Sequence, residues 1–139
     1  MLRMTSAMGI LSERYRDAER IAHGAMGEIL RATDSVLGRT VAVKVLAEPF
    51  AADDESRSRF MREARAAARV SSHPNIVTIY DVGESAERPY IVMEYVDGPS
   101  LERRLLDEGA QEPADALRQL EQASRALDHA HANGVVTAT

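Results

Sequence analysis

The chain contains no cysteine, which excludes disulfide bonds and thiolate metal sites and fits a reducing cytoplasm. Histidine is scarce as well, with four residues scattered through 139, so metal chemistry is not expected. No apolar run approaches the roughly 20 residues a membrane helix requires, and the start lacks the basic, apolar and small-residue regions of a signal peptide. We therefore expect a soluble, cytoplasmic protein without a membrane segment. An excess of positive charge is missing too. The formal net charge is −5 and the arginines are interspersed with acids, which argues against a nucleic-acid binder. Met1, Met4 and Met8 all precede the first plausible element, so the sequence does not fix its own start.

Lysine is the scarcest basic side chain. Lys44 is the single lysine, the other basic residues being arginine, and it lies inside the apolar run Val41-Ala42-Val43-Lys44-Val45-Leu46. Lysine is a compact ammonium on a flexible stem, whereas arginine is a broad planar fork, so a site needing a point charge beside phosphates selects lysine. A stray surface lysine on an edge strand is the plain alternative. With 45% apolar side chains, the chain is long enough for one domain with a core, or for one domain and part of a second.

The spacing predicts strands from Arg14 to Ile21 and from Glu28 to Asp34 around a small-residue turn, His23 to Gly27, followed by a second turn from Asp34 to Arg39. Thr40 to Leu46 alternates, with the valines on one face and Ala42, Lys44 and Leu46 on the other. Pro49 breaks that strand. Asp53 to Val70 carries acids in its first turn and arginines after it, with Phe60, Ala64, Ala67 and Ala68 at helical spacing, so it reads as a helix ended by Ser71 to Asn75. Two further strands, Ile76 to Val82 and Pro89 to Tyr95, flank a polar turn, Gly83 to Arg88. Beyond Asp97-Gly98-Pro99 only helices are expected, from Ser100 to about Asp107 and from Pro113 to about Ala132. The second bears an apolar stripe of Leu117, Leu120, Ala123, Leu127 and Ala130.

Ala22-His23-Gly24-Ala25-Met26-Gly27 has the form of a Gly-x-Gly-x-x-Gly turn with alanine in the first glycine position. Glycines there let backbone amides approach phosphate oxygens. A dinucleotide-binding fingerprint would need a helix after the last glycine, but Glu28 to Arg31 continues as strand. Lys44 follows on the next strand. Glu63 follows on the inserted helix near the apolar side formed by Phe60, Ala64 and Ala67, where an acid calls for a cation; a solvated charge among Arg59, Arg62 and Arg69 is the bland alternative.

These motifs, together with His73-Pro74-Asn75-Ile76-Val77 and Tyr90-Ile91-Val92-Met93-Glu94-Tyr95-Val96, give a chain that resembles a bacterial serine/threonine protein kinase from Tyr15 to Val136. The resemblance implies an α+β fold: a kinase-like N-lobe, with a five-stranded antiparallel sheet and one inserted helix, followed by two helices of an incomplete C-lobe. Residues 14–96 would form the ATP-binding lobe, 97–139 the hinge and partial C-lobe, and 1–13 an N-terminal extension. It implies a nucleotide site made of Ile21, Ala22, Gly24, Gly27, Ile29, Ala42, Lys44, Glu63, Met93, Glu94 and Val96. Gly24 and Gly27 would cover the phosphates, Ile29 and Ala42 the adenine, and Lys44 the α- and β-phosphates, oriented by Glu63. Met93 would gate the pocket behind the adenine, and Glu94 and Val96 would offer backbone groups to its edge. One departure is local: Ala22 adds a methyl, at a cost of about 1 kcal/mol if the backbone there must leave the regions open to alanine.

The second departure is at the end. The family continues with His-Arg-Asp, but this sequence reads Thr137-Ala138-Thr139 and contains neither His-Arg-Asp nor Asp-Phe-Gly, so no catalytic or Mg2+-binding residue is assigned. We expect the polypeptide to be inactive alone, since phosphoryl transfer rests on positioning and charge neutralisation by those groups. His-Arg-Asp-Leu written CAC CGC GAC CTG and stripped of its first base reads Thr-Ala-Thr-stop, which suggests a one-base frameshift. The expected partners are ATP, a complete kinase or protein substrate, and a second copy through the exposed helix. The alternatives to a kinase fragment are a non-catalytic nucleotide-binding or docking module and a gene remnant.

Overall fold

The computed structural model describes residues 11–24 and 26–136. Five strands form one antiparallel sheet in the order β1-β2-β3-β5-β4. β1 (Tyr15–His23) and β2 (Gly27–Asp34) make the first hairpin. The β1 register slips between Arg16 and Glu19 and again between Arg20 and Ala22, and Asp17, at φ 55°, lies in the first slip.

The turn from β2 to β3 (Arg39–Leu46) is organised by Asp34. Its carboxylate accepts from the backbone N–H of Val36 and Leu37 at 3.0 and 3.2 Å, and from Arg14 Nε and Nη2 at 2.9 and 2.7 Å. Gly38, at φ 67°, completes the turn by donating to Asp34 O at 2.7 Å. The Arg14 hydrogen bonds hold the Asp34 carboxyl well below the usual carboxylate range.

Alternation along β3 divides the core as the sequence implies. Val41, Val43 and Val45 join Tyr15, Leu30, Ala32, Tyr90 and Val92 on one face. Leu46 packs with Ala51, Phe60, Ala64 and Ile91 on the other. Pro49 does more than break the strand: it sits in the first turn of a short helix, α1 (Glu48–Ala51), where its missing N–H costs nothing. The inserted helix, α2 (Asp54–Val70), starts at Asp53, whose carboxylate accepts from Ser56 Oγ at 2.6 Å and Ser56 N at 3.1 Å. Those bonds lower the Asp53 pKa. The helix buries Phe60, Ala64 and Val70, while Ala67 is half-buried and Ala68 exposed. The inward face is thus narrower than the alanine spacing suggests, because the sheet covers only one stripe.

β4 (Ile79–Ser85) begins three residues later than expected, since Ile76 is still turning, with its N–H on His73 O at 3.1 Å. The β4–β5 turn is also tighter. β5 spans Arg88–Glu94, and the connection is only Ala86 and Glu87, both left-handed at φ 50° and 63°. Such a turn usually announces itself as Asn-Gly. Here Arg57 holds it from α2, donating from Nη1 to Glu87 O and, at 2.9 Å, to Ala51 O, while Nη2 pairs with Glu84 at 2.7 Å.

Two helices follow, α3 (Leu101–Glu108), capped by Ser100, and α4 (Pro113–Ala132). Of α4 only Ala130 is buried; Leu117 and Leu120 are 66% and 63% exposed. Among the described residues no helix is long and apolar enough to cross a membrane.

Candidate functional site

Strand register builds a row of side chains across the sheet. Ala22 pairs with Ile29, Ile29 with Lys44, and Lys44 with Ile91, so the four residues share the face that also carries Leu46 and looks toward α2. Two residues along β3, Ala42 lies beside Met93. A cleft of about 400 Å³ opens on this face, lined by Ala22, Gly24, Gly27, Ile29 and Lys44 with neighbouring loop residues.

Gly27 is fixed by close approach. A Cβ there would lie 2.1 Å from Val45 O and 3.1 Å from Val45 C, on backbone that cannot swing aside. Gly24 differs, because a Cβ would meet nothing within 4 Å. Ala22 pairs with Ile29 at the edge of the second slip and is not among the left-handed residues, so the condition for a strain cost at its methyl is not met. Ala25 lies outside the described residues.

Lys44 is exposed at the mouth of the cleft, with Nζ 6.0 Å from the centroid of the Phe60 ring. Phe60, which sequence reasoning treated as core alone, is therefore the α2 residue beside the lysine. Glu63 is not brought to Lys44. Among the described residues no ion pair joins them, and Glu63, exposed on α2, lines a separate cleft of about 430 Å³ with Ala67, Val70, Leu127 and Ala130. The expectation that Glu63 sits inward thus departs from this structure. The physical reason is solvent: an exposed Lys–Glu pair is worth about 0–1 kcal/mol, too little to hold two long side chains together.

At the far end of the sheet, Glu94 uses its N–H on Thr78 O at 2.9 Å, and its carboxylate accepts from Thr78 N at 3.2 Å. Val96 is 61% exposed, with its backbone groups unbonded among the described residues. Ile21 is 45% exposed and does not line the cleft. Among the described residues no group of three or more histidine, aspartate or glutamate side chains could hold a metal ion.

Residues 15–137 match the protein kinase domain family. The chain belongs to that family. It is 43% identical over 126 residues to the serine/threonine-protein kinase PrkC of Bacillus subtilis, covering 91% of this chain and 19% of PrkC. It is 44% identical over 139 residues to the serine/threonine-protein kinase PknA of Mycobacterium tuberculosis, covering 96% of this chain and 32% of PknA. Among solved structures it superposes on the Mycobacterium tuberculosis PknI kinase domain with a TM-score of 0.73 at 35% identity, covering 91% of this chain and 52% of that one. The chain therefore spans between a fifth and a third of these two curated kinases, and about half of the solved domain. The five-stranded sheet and its helices are the N-lobe and first C-lobe helices of a protein kinase.

Proposed function

We propose that this chain is the nucleotide-holding part of a serine/threonine protein kinase that transfers the γ-phosphate of ATP to protein hydroxyls. The observation that carries the reading is the placement of the single lysine across from Ile29 at a cleft whose floor excludes a side chain at Gly27. Gly24 and Gly27 leave backbone free to approach phosphate oxygens, and Lys44 supplies the point charge. Ala22, Ile29 and Ala42 supply the apolar surface for a flat ring, with Met93 beside Ala42; Ile21, which does not line the cleft, would join them only on closure of the loop around the nucleotide. Backbone groups of Glu94 and Val96 would meet the edge of the base, where the Glu94 N–H is already committed to Thr78. Glu63 would orient Lys44 only after a rearrangement of α2 or of both side chains. ATP supplies the transferable phosphoryl group; no ligand set for Mg2+ is assigned among the described residues. The cytoplasm, where ATP is abundant, is the proposed compartment, and a protein substrate is the proposed second partner.

The exposed leucines of α4 favour a second reading, in which the lobe docks on another polypeptide or on itself. Both can be separated from the first by amine labelling. Lys44 is the sole side-chain amine, so an acylating reagent followed by peptide mass spectrometry reports on it alone. ATP should protect Lys44 several-fold, and a chain whose Lys44 reacts equally with and without millimolar ATP does not hold the nucleotide there.

A further inference from the structure

α4 is attached to the rest of the fold by few contacts, and two of them meet at His73. The His73 ring lies 5.1 Å from the ring of His129 on α4, tilted by 37°. His73 Nδ1 accepts the backbone N–H of Asn75 at 3.0 Å, and Asn75 Nδ2 donates to Gln122 O on α4 at 3.1 Å. Gln122 and His129 are seven residues apart, two helical turns, so they lie on one stripe of α4. A backbone N–H can only donate, so His73 Nδ1 carries no proton in this arrangement and the neutral ring holds its hydrogen on Nε2.

We propose that this junction is a pH-sensitive latch that releases α4 from the α2–β4 connection when the histidines are protonated. An imidazolium at position 73 has hydrogen on both nitrogens and cannot accept from Asn75 N–H, so the residue that reaches Gln122 loses its anchor. A second imidazolium at position 129 would then place two positive charges about 5 Å apart. Histidine is the side chain whose ordinary titration falls between about pH 5 and 8. Of the charged groups on the packed elements, Glu63 of α2 lines the cleft beside Leu127 and Ala130 and forms no ion pair among the described residues. Residues 71–78 contain no further ionisable side chain. On α4, Arg125 is paired with Glu121, while Asp128 and His131 form no ion pair among the described residues. At the end of α2, Arg69 is exposed and adds positive charge.

The test is hydrogen exchange of residues 119–133, expressed as protection relative to the intrinsic rate at each pH so that exchange chemistry cancels. Protection in the unaltered chain should fall about tenfold between pH 7.5 and 5.5, the equivalent of one lost hydrogen bond. His73→Asn keeps an acceptor for the N–H two residues on without titrating, and its protection should stay within about twofold over that range. His129→Phe keeps a ring and removes one charge, and should fall less than the unaltered chain. The proposal is overturned if the unaltered chain shows no protection of α4 at pH 7.5, or if its protection is constant with pH. It is equally overturned if His73→Asn falls as far as the unaltered chain. Should His73→Asn not fold, a His129→Phe profile that matches the unaltered chain has the same consequence.

Discussion

Replacing Gly27 by alanine tests whether close backbone approach, and not flexibility, is what the cleft needs from glycine. The new Cβ would start 2.1 Å from Val45 O, and real Cβ contacts essentially never fall below 3.0 Å, so β2 and β3 must part by at least 0.9 Å at this point. The displacement acts beside the bond from Ala47 N to Met26 O at 2.7 Å and one residue from Lys44. Forced overpacking of this kind costs about 1–3 kcal/mol. For a chain of this length, about 4 °C of melting temperature is lost per kcal/mol, so the midpoint should drop by about 4–12 °C. Because Lys44 moves with its strand, nucleotide affinity measured by fluorescence should fall by about tenfold. Gly24→Ala is the control. Its Cβ meets nothing within 4 Å, so melting should shift by less than about 0.5 kcal/mol. Equal behaviour of the two variants, or a Gly27→Ala chain that melts with the unaltered one, would refute the reasoning.

Two further outcomes are expected. The Arg14 hydrogen bonds lower the Asp34 pKa, so the stability they contribute is fully present above the ordinary carboxylate range, about pH 4, and is lost as the pH falls toward the depressed folded value. Thermal midpoints from pH 7 to 2 should show an acid limb that is shallower in Asp34→Asn; an unchanged limb would remove Asp34 as its source. Leu117 and Leu120 are largely exposed, so the double change to glutamate should leave melting within about 1 kcal/mol while reducing any self-association seen in sedimentation; destabilisation by several kcal/mol would mean that the stripe is buried in solution.

Sequence carried the sheet well because its strands are marked by alternation that any half-buried surface requires. The period of two alone assigns Val41, Val43 and Val45 to one face and Lys44 to the other. Three local features were less legible. The Ala86–Glu87 turn is held by Arg57 from 30 positions away, a tertiary cause that turn chemistry does not encode. The short helix at Glu48–Ala51 has too few residues for a period to show. The inward stripe of α2 depends on how much of it the sheet covers, so Ala67 and Ala68 read alike in sequence yet differ in burial. At the site, Ala22, Ile29 and Lys44 could each be named from sequence, but the row they form comes from the strand register, which continues β1 past the Ile21 at which the sequence ended it; Glu63 was assigned by its spacing from Lys44. Spacing fixes which helix bears the acid and leaves its rotation open.

The two ends of the sheet bear on how copies of this chain can meet. β1, one outer strand, is slipped twice in register and carries Arg16, Asp17, Glu19 and Arg20 on exposed positions; β4, the other, carries Asp81 and Glu84. Bulges and charges of this kind oppose strand-to-strand addition. Crowding should therefore lead to assemblies that keep the strand content of the single chain and join through helical leucines, rather than to fibres that recruit new strands.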